Sequence, residues 1–450
     1  MDSPKRICTQ GLKAGLGLWR RLDFRVQLLV AWGLGVLLVL GSWLALRPKA
    51  EPVPTSSAAV ALNPQAMEDQ ALVLQEQGDY EAAEILFRKC LAERRGAFGL
   101  DHIDTLSAMN NLANLLHDRG RDTEAETLHR NCLEIRERTL GASHPHTLAS
   151  LNNLALIHEA KGEFSAAEPL YRKAWERMQP ALGSDHPHTL SALNNLAGVL
   201  SDMAEYDAAQ PLYHQCIASL ERTLGSEHPA TLAGHGNLAN LLLRKGDRAA
   251  GPIYIKCLEI RERVQGPDHP ETLLAANNLA AFRQETGDFA EAESLYRRCF
   301  ASRQKVLGAD HPQTLSSLDD LAGALREKRQ LDEAEALARK ALAQRERILG
   351  PDHPDTLGSV ATLADVLRDR GDAAAAPLYQ RAIAGSTRIV GPVHPRTLRV
   401  LFEFSVFHRK QRQAPEARRL ANELVAGARR SLPKNHPDRL KYERHVESLR

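Results

Sequence analysis

The sequence predicts an all-α protein: a solenoid of about nine helix pairs with a capping helix at its C-terminal end, preceded by one transmembrane helix. Three observations support this prediction. A His-Pro pair recurs every 41 or 42 residues from His144 to His436. Each repeat carries two apolar stripes at helical spacing. The chain is rich in helix-forming Ala, Leu, Glu and Arg and lacks alternating runs of β-branched residues.

The N-terminal part of the chain divides into three segments. Residues 1–25 form a basic tail. Residues 26–46 contain no charged side chain, and a helix of this length spans about 32 Å, enough to cross the hydrocarbon core of a bilayer. Residues 47–64 contain four prolines and several small residues. This composition predicts a semi-extended linker between the membrane and the repeats.

The charges on either side of the apolar segment predict its orientation. Lys and Arg are more frequent before Val26 than directly after Leu46. The positive-inside rule then places the N-terminus in the cytoplasm and the repeats outside it, in the periplasm if the protein is bacterial. A cleaved signal peptide with a small-residue site at Ala59 to Ala61 is the alternative. The apolar run is, however, longer than the roughly 7–15 residues of such a peptide.

The repeats occupy residues 65–432, and each has the pattern of a helix-turn-helix unit. In the unit from His144 to Asp185, the prediction is that Pro145 lies in the first turn of the first helix, where a missing N–H costs nothing. Gly162 and Gly183 are expected to end the two helices. The first apolar stripe consists of Leu148, Leu151, Leu154 and Ala155, and the second of Ala167, Leu170, Tyr171 and Ala174.

The last segment, residues 433–450, departs from the repeat. Its helix begins near His436, and Glu443 and Glu447 replace residues that would face a core. The final unit of a solenoid must present a polar outer face to water. This segment is therefore predicted to be a capping helix.

Three recurring phrases resemble a known family. LNNLA, G-x-x-x-x-A-E-x-L-Y and I-R-E-R-x-L-G-x-x-H-P are similar to the 42-residue tetratricopeptide repeats of kinesin light chains and nephrocystin-like proteins. The resemblance covers about residues 65–432. It implies a right-handed superhelix whose first helices line a concave, peptide-binding groove, and hence a protein-protein interaction scaffold. It does not imply motor transport, because an apolar segment replaces the N-terminal coiled coil of kinesin light chains.

Paired asparagines in the first helices are the candidate binding residues. The resemblance implies that the first Asn of each pair faces the groove, while the second ties neighbouring repeats together. Amides both donate and accept hydrogen bonds, so a row of them could hold the backbone of a guest peptide. In the alternative interpretation, both members of each pair bond only to neighbouring helices. The candidate groove residues are the first members of four pairs, Asn110, Asn152, Asn194 and Asn277, together with Asn114 and Asn240, which lie one turn further along their helices.

Cysteines and histidines recur with the repeat and are interpreted as structural. Equivalent positions in adjacent repeats lie about 10 Å apart, too far for a disulfide. The cysteines share a small-residue position with several alanines, which predicts buried packing thiols, and the His-Pro histidines are predicted to cap loops, not to bind a metal. The cysteines at this position are Cys90, Cys132, Cys216, Cys257 and Cys299.

No catalytic motif is present in the sequence, so we expect neither enzymatic activity nor a cofactor. The alternative function uses the basic C-terminal end, where residues 396–450 carry fourteen basic and six acidic side chains. Such a surface could bind nucleic acid or another acidic partner. The aromatic side chains on which single-strand binders stack bases are scarce there. The basic residues concerned are Arg409, Lys410, Arg412, Arg418, Arg419, Arg429 and Arg430.

Overall fold

The computed structural model describes residues 63–76 and 78–450, which form helices and short turns without a strand. The predicted basic tail, the predicted membrane segment at 26–46 and nearly all of the linker lie outside the described residues. None of the described helices has the combination of length and apolar character that a membrane span requires. The all-α prediction is confirmed for the described part of the chain.

Nineteen helices occur in these described residues, and they form nine pairs followed by a single last helix. The first helices of the pairs are α1 (Pro64–Glu76), α3 (Ile103–Asp118), α5 (Pro145–Ala160), α7 (Pro187–Asp202), α9 (Pro229–Lys245), α11 (Pro270–Glu285), α13 (Pro312–Glu327), α15 (Pro354–Arg370) and α17 (Pro395–Lys410). The second helices are α2 (Tyr80–Phe98), α4 (Asp122–Leu140), α6 (Phe164–Leu182), α8 (Tyr206–Leu224), α10 (Ala250–Gln265), α12 (Phe289–Leu307), α14 (Leu331–Leu349), α16 (Ala375–Val390) and α18 (Ala414–Ser431). The last helix is α19 (Pro437–Glu447), and each helix packs on the next along the chain.

A histidine caps the N-terminus of every first helix from α3 onward. Nδ1 of His144 accepts a hydrogen bond from the N–H of His146 at 3.2 Å, and Pro145 follows in the first turn. A ring nitrogen that accepts a hydrogen bond carries no proton, so this cap requires a neutral imidazole. The predicted capping role is therefore observed. The same bond is made by His102, His186, His228, His269, His311, His353, His394 and, at α19, His436.

The apolar stripes of each pair form the core. Leu148, Leu151 and Leu154 of α5 are at most 5% exposed, and Ala167 and Tyr171 of α6 are fully buried. Burial of one aliphatic side chain of this size stabilises the fold by about 1.5–3 kcal/mol. Because each pair also packs on the next, the stripes join into a core that runs along the whole array.

The five cysteines at the repeated position are buried, and none of them forms a disulfide within the described residues. Sγ of Cys132 donates to the carbonyl of Leu106 in the first helix of the same pair, at 3.5 Å. Burial raises the pKa of the Cys299 thiol to about 11. The thiols therefore serve as small packing groups. Equivalent bonds are made by Cys90, Cys216, Cys257 and Cys299.

A further repeated position, which sequence reasoning did not find, holds a buried arginine of the second helix. The Arg345 guanidinium of α14 bonds to the Asp319 carboxylate of α13 and to Ser359 Oγ of α15, at 2.8 Å. It thus ties one second helix to the first helices on both sides. The sequence signal that could have revealed it is an arginine that recurs at one fixed position of the repeat, within the I-R-E-R motif. The position is occupied by Arg94, Arg136, Arg261, Arg303 and Arg345.

The array coils so tightly that successive turns touch. Nε2 of His353 lies 3.2 Å from the carbonyl oxygen of Asp118, a residue 235 positions earlier. Nε2 of His394 lies 3.0 Å from the carbonyl oxygen of Ala160, 234 positions earlier. One turn of the coil therefore takes fewer than six helix pairs.

Candidate functional site

The first helices line the inner surface of the coil, which we call the concave face. First helices of consecutive pairs contact each other directly, as α13 does with α15 and α9 with α11. Elements that approach each other more closely lie on the inside of a curve. The side chains that point from the first helices toward the coil axis therefore lie on this concave face.

An amide ladder runs along the N-terminal half of the concave face. In each rung, the side-chain N–H of the second asparagine donates to the side-chain oxygen of the first asparagine in the preceding repeat. Each bond spans 43 residues and joins two adjacent first helices. The rungs are Asn153 to Asn110 (2.9 Å), Asn195 to Asn152 (3.1 Å) and Asn237 to Asn194 (2.9 Å).

The amide ladder changes where other residues replace the asparagines: a glutamate extends it at one end, and a glycine interrupts it further along. At the N-terminal end, Asn111 donates to the carboxylate of Glu68 at 2.7 Å. Gly236 occupies the first-asparagine position of α9 and has no side chain to accept from the next repeat. The Asn277 amide then bonds to the Asp320 carboxylate, which replaces the usual second asparagine.

The six predicted groove residues all lie on first helices, and several already serve as structural ties. Asn110, Asn114 and Asn152 are buried, whereas Asn194, Asn240 and Asn277 are half-buried. The hydroxyl of Tyr254 donates to the side-chain oxygen of Asn240. These bonds give the amides a role between helices, as the alternative interpretation has it. Contact with a ligand stays a prediction.

Glycines inside the first helices leave open space over the concave face. Gly236, Gly323 and Gly358 lie within α9, α13 and α15, and a Cβ atom added at any of them would meet no atom within 4 Å. Glycine in a helix interior costs about 0.5–1 kcal/mol relative to alanine. The helix backbone is therefore accessible at three places where a larger residue would fit.

A polar cavity of about 560 Å³ lies at the C-terminal end of the concave face, between α13, α15, α17 and α19. Asp319, Arg399 and Glu403 line it, and Lys441 Nζ lies 4.5 Å from the ring centroid of Phe402. Burial raises the pKa of Asp319 to about 6 despite the nearby Arg345. The cavity is therefore lined by side chains of both charge signs and by an aromatic ring.

The basic C-terminal end is partly neutralised by ion pairs. Lys410 Nζ lies 2.7 Å from Asp369, and Arg429 Nε lies 3.0 Å from Glu443. Arg419 pairs with Glu416 at 2.6 Å. A surface whose cations already have acidic neighbours attracts polyanions less strongly than its basic residue count suggests.

No group of three or more histidine, cysteine or acidic residues is placed to hold a metal ion in the residues that the structure describes.

Comparison with known proteins identifies the repeats. A model described as tetratricopeptide repeat matches residues 62–126, 104–179, 235–281, 271–347 and 318–376, and a second model with the same description matches residues 189–230 and 398–438. No curated protein is significantly similar to the chain.

Several solved structures are similar to parts of the chain. A putative kinesin light chain with nearly identical TPR-like repeats from Podosopora anserina is 28% identical, with a TM-score of 0.39 over 44% of this chain and 95% of that one. BtubC from P. vanneervenii is 19% identical, with a TM-score of 0.39 over 52% of this chain and 92% of that one. A Rap protein complexed with competence and sporulation factor is 11% identical, with a TM-score of 0.48 over 86% and 97%.

The repeat length, the helix pairing and the family matches agree with one another. The tetratricopeptide repeat model alone matches more than half of the chain. The protein belongs to the tetratricopeptide repeat family.

Proposed function

We propose that the protein is a membrane-anchored scaffold that binds a peptide or protein segment on its concave face. The observation that carries this proposal is the open space over Gly236, Gly323 and Gly358, next to polar side chains of the same helices. A bound segment presents backbone and side-chain polar groups that need partners. Each hydrogen bond contributes only about 0.5–1.5 kcal/mol, so affinity would come from several repeats acting together.

Filling this open space tests the proposal. We would change Gly323 and Gly358 to Trp, separately and together, and measure capture of partners crosslinked in intact membranes. A Cβ atom at either position would meet no atom within 4 Å, so helicity should be unchanged while capture falls at least tenfold in the double variant.

The matched control is Gly96→Trp, in the second helix α2. Gly96 is exposed, and a Cβ atom there would likewise meet nothing within 4 Å. This variant should capture the partner as well as the wild-type protein. Unimpaired capture by a folded Gly323→Trp/Gly358→Trp variant would refute the concave face as the binding surface.

The anchor part of the proposal rests on the uncharged run from Val26 to Leu46 and on the basic residues before it. An uncleaved anchor of this orientation displays the repeats on the extracytoplasmic side. Protease added outside sealed spheroplasts should therefore digest the repeats and spare the N-terminal tail. Protection of the repeats until the membrane is broken would show the opposite orientation.

A further inference from the structure

The contact between successive turns of the coil, which we call the seam, has one repeated geometry. It joins the C-terminal ends of first helices in one turn to the histidine caps of first helices in the next. His353 bonds to the carbonyl of Asp118, the last residue of α3, and His394 to that of Ala160, the last residue of α5. The His436 side chain bonds to the backbone of Asp202, the last residue of α7.

Each seam histidine uses both ring nitrogens at once. In His353, Nδ1 accepts from the N–H of Asp355 at 3.1 Å, which leaves the proton on Nε2 to be donated to Asp118. A carbonyl at a helix C-terminus has no partner within its own helix, so the donated bond satisfies it. Only the neutral ring with its proton on Nε2 can make both bonds. Protonation of Nδ1 would turn the acceptor into a donor facing another N–H, and the ring would have to move.

Small residues allow the turns to approach. Pro354 packs against Gly120, and Pro395 against Gly162; a Cβ atom at either glycine would come within 2.8 Å of the proline ring. The equivalent residue one repeat later is Ala204, which is 6% exposed and has a φ of 59°. Further along, Arg329 and Arg412 hold the same position with similarly positive φ. The positive φ therefore does not by itself require a small residue, whereas the close approach at the seam does.

We propose that the imidazoles of His353, His394 and His436 latch successive turns of the superhelix together, and that acidification opens this latch. Opening would widen access to the concave face from the side. The inference goes beyond the proposed function, because it concerns the coil itself and holds whichever partner is bound.

The charges around the three histidines fix the direction of the pH effect. His353 faces Asp355, Arg345 and Arg396, and burial is the largest influence lowering its pKa. His394 faces Arg396 and Asp122, and burial lowers its pKa as well.

The third seam histidine behaves in the same way. Burial lowers the pKa of His436, with Arg244 acting in the same direction and Asp438 and Asp202 against it. Because the pKa of the seam histidines is lower in the closed coil, the closed coil binds fewer protons than the open coil. Closure is then favoured above the ordinary histidine pKa of about 6.5 and weakens as the pH falls below it.

The test measures the distance across the seam in the full-length chain in detergent. Spin labels would be attached to cysteines introduced at Glu81 and at Asp352, which directly precedes His353; both residues are exposed and line the same seam cavity. Cys8 would be replaced by serine, and the buried native thiols should not react. Pulsed dipolar spectroscopy should give a short, narrow distance at pH 7.5 and a longer, broader one near pH 5.

Two triple variants separate the latch from the helix cap. Asparagine can cap a helix but cannot reach across the seam, so His353→Asn/His394→Asn/His436→Asn should give the long distance already at pH 7.5. The control, His186→Asn/His228→Asn/His269→Asn, changes three caps that make no hydrogen bond to another turn and should behave as the wild type. A short distance in the seam variant at pH 7.5, or an unchanged wild-type distance near pH 5, would overturn the proposal.

Discussion

At the scale of single residues, the position of a residue within the repeat determines whether its side chain is buried and what it contacts. The same arginine position is buried in five pairs, and the same cysteine position packs against a carbonyl in five. Where a repeat has a different residue type at such a position, the contacts of that position also differ. Asp319 and Asp320 replace an asparagine pair, and burial raises the pKa of both carboxyls.

Glu159 offers the clearest prediction at this scale. It is the penultimate residue of α5, accepts a hydrogen bond from the Tyr171 hydroxyl at 2.7 Å, and lines a cavity of about 820 Å³ between turns. Burial, with Asp202 nearby, raises its pKa to about 7. A raised carboxyl pKa means that the folded protein binds the proton more tightly than the unfolded chain does. The protonated Glu159 carboxyl therefore contributes to the free energy of unfolding at low pH, and this contribution is lost as the pH rises from about 4.5 through 7.

Glu159→Gln should therefore stabilise the protein at pH 8 by about 1–2 kcal/mol and have little effect near pH 4, because glutamine keeps the acceptor without the buried charge. Chemical denaturation at the two pH values measures this. The exposed Glu176 of α6, changed to Gln, serves as the control and should shift stability at neither pH. Equal effects of Glu159→Gln at both pH values would contradict a buried, titrating carboxyl.

At the scale of helices, most of the architecture follows from local signals. The His-Pro pair marks each start because histidine caps and proline fits the first turn, and glycine marks most ends. These signals involve residues only a few positions apart, so one sequence is enough to interpret them. The asparagine pairs were also visible, but their partners lie 43 residues away, and only the packed helices show that each first asparagine accepts from the next repeat.

Two features of the helices were not predicted from the sequence. The buried arginines look like ordinary surface charge in the sequence, because a helix stripe does not show which charged residue bridges three helices. The cavity between α13 and α19 combines residues from five helices, and its first and last lining residues are more than 100 positions apart. Such sites depend on the curvature of the whole array.

At the scale of the whole molecule, curvature is the property that matters for function. The curvature of successive pairs adds up along the array, so that one turn meets the next within six pairs. The coil then surrounds its concave face, and the seam histidines hold successive turns of the coil together. Because each pair mainly contacts its neighbours, a change in one pair spreads along the array.

The central claim is that partners bind on the concave face, and site-specific photocrosslinking tests it most directly. A photoreactive amino acid would replace Thr362, which lines the concave cavity. The same residue would be placed at Ala343, exposed on the second helix α14, and at Arg430, on the basic C-terminal end. The three proteins would be irradiated in intact membranes and their adducts identified by mass spectrometry. The account predicts a polypeptide adduct from Thr362 and none from the other two positions. Adducts from Ala343 or Arg430, with none from Thr362, would contradict it.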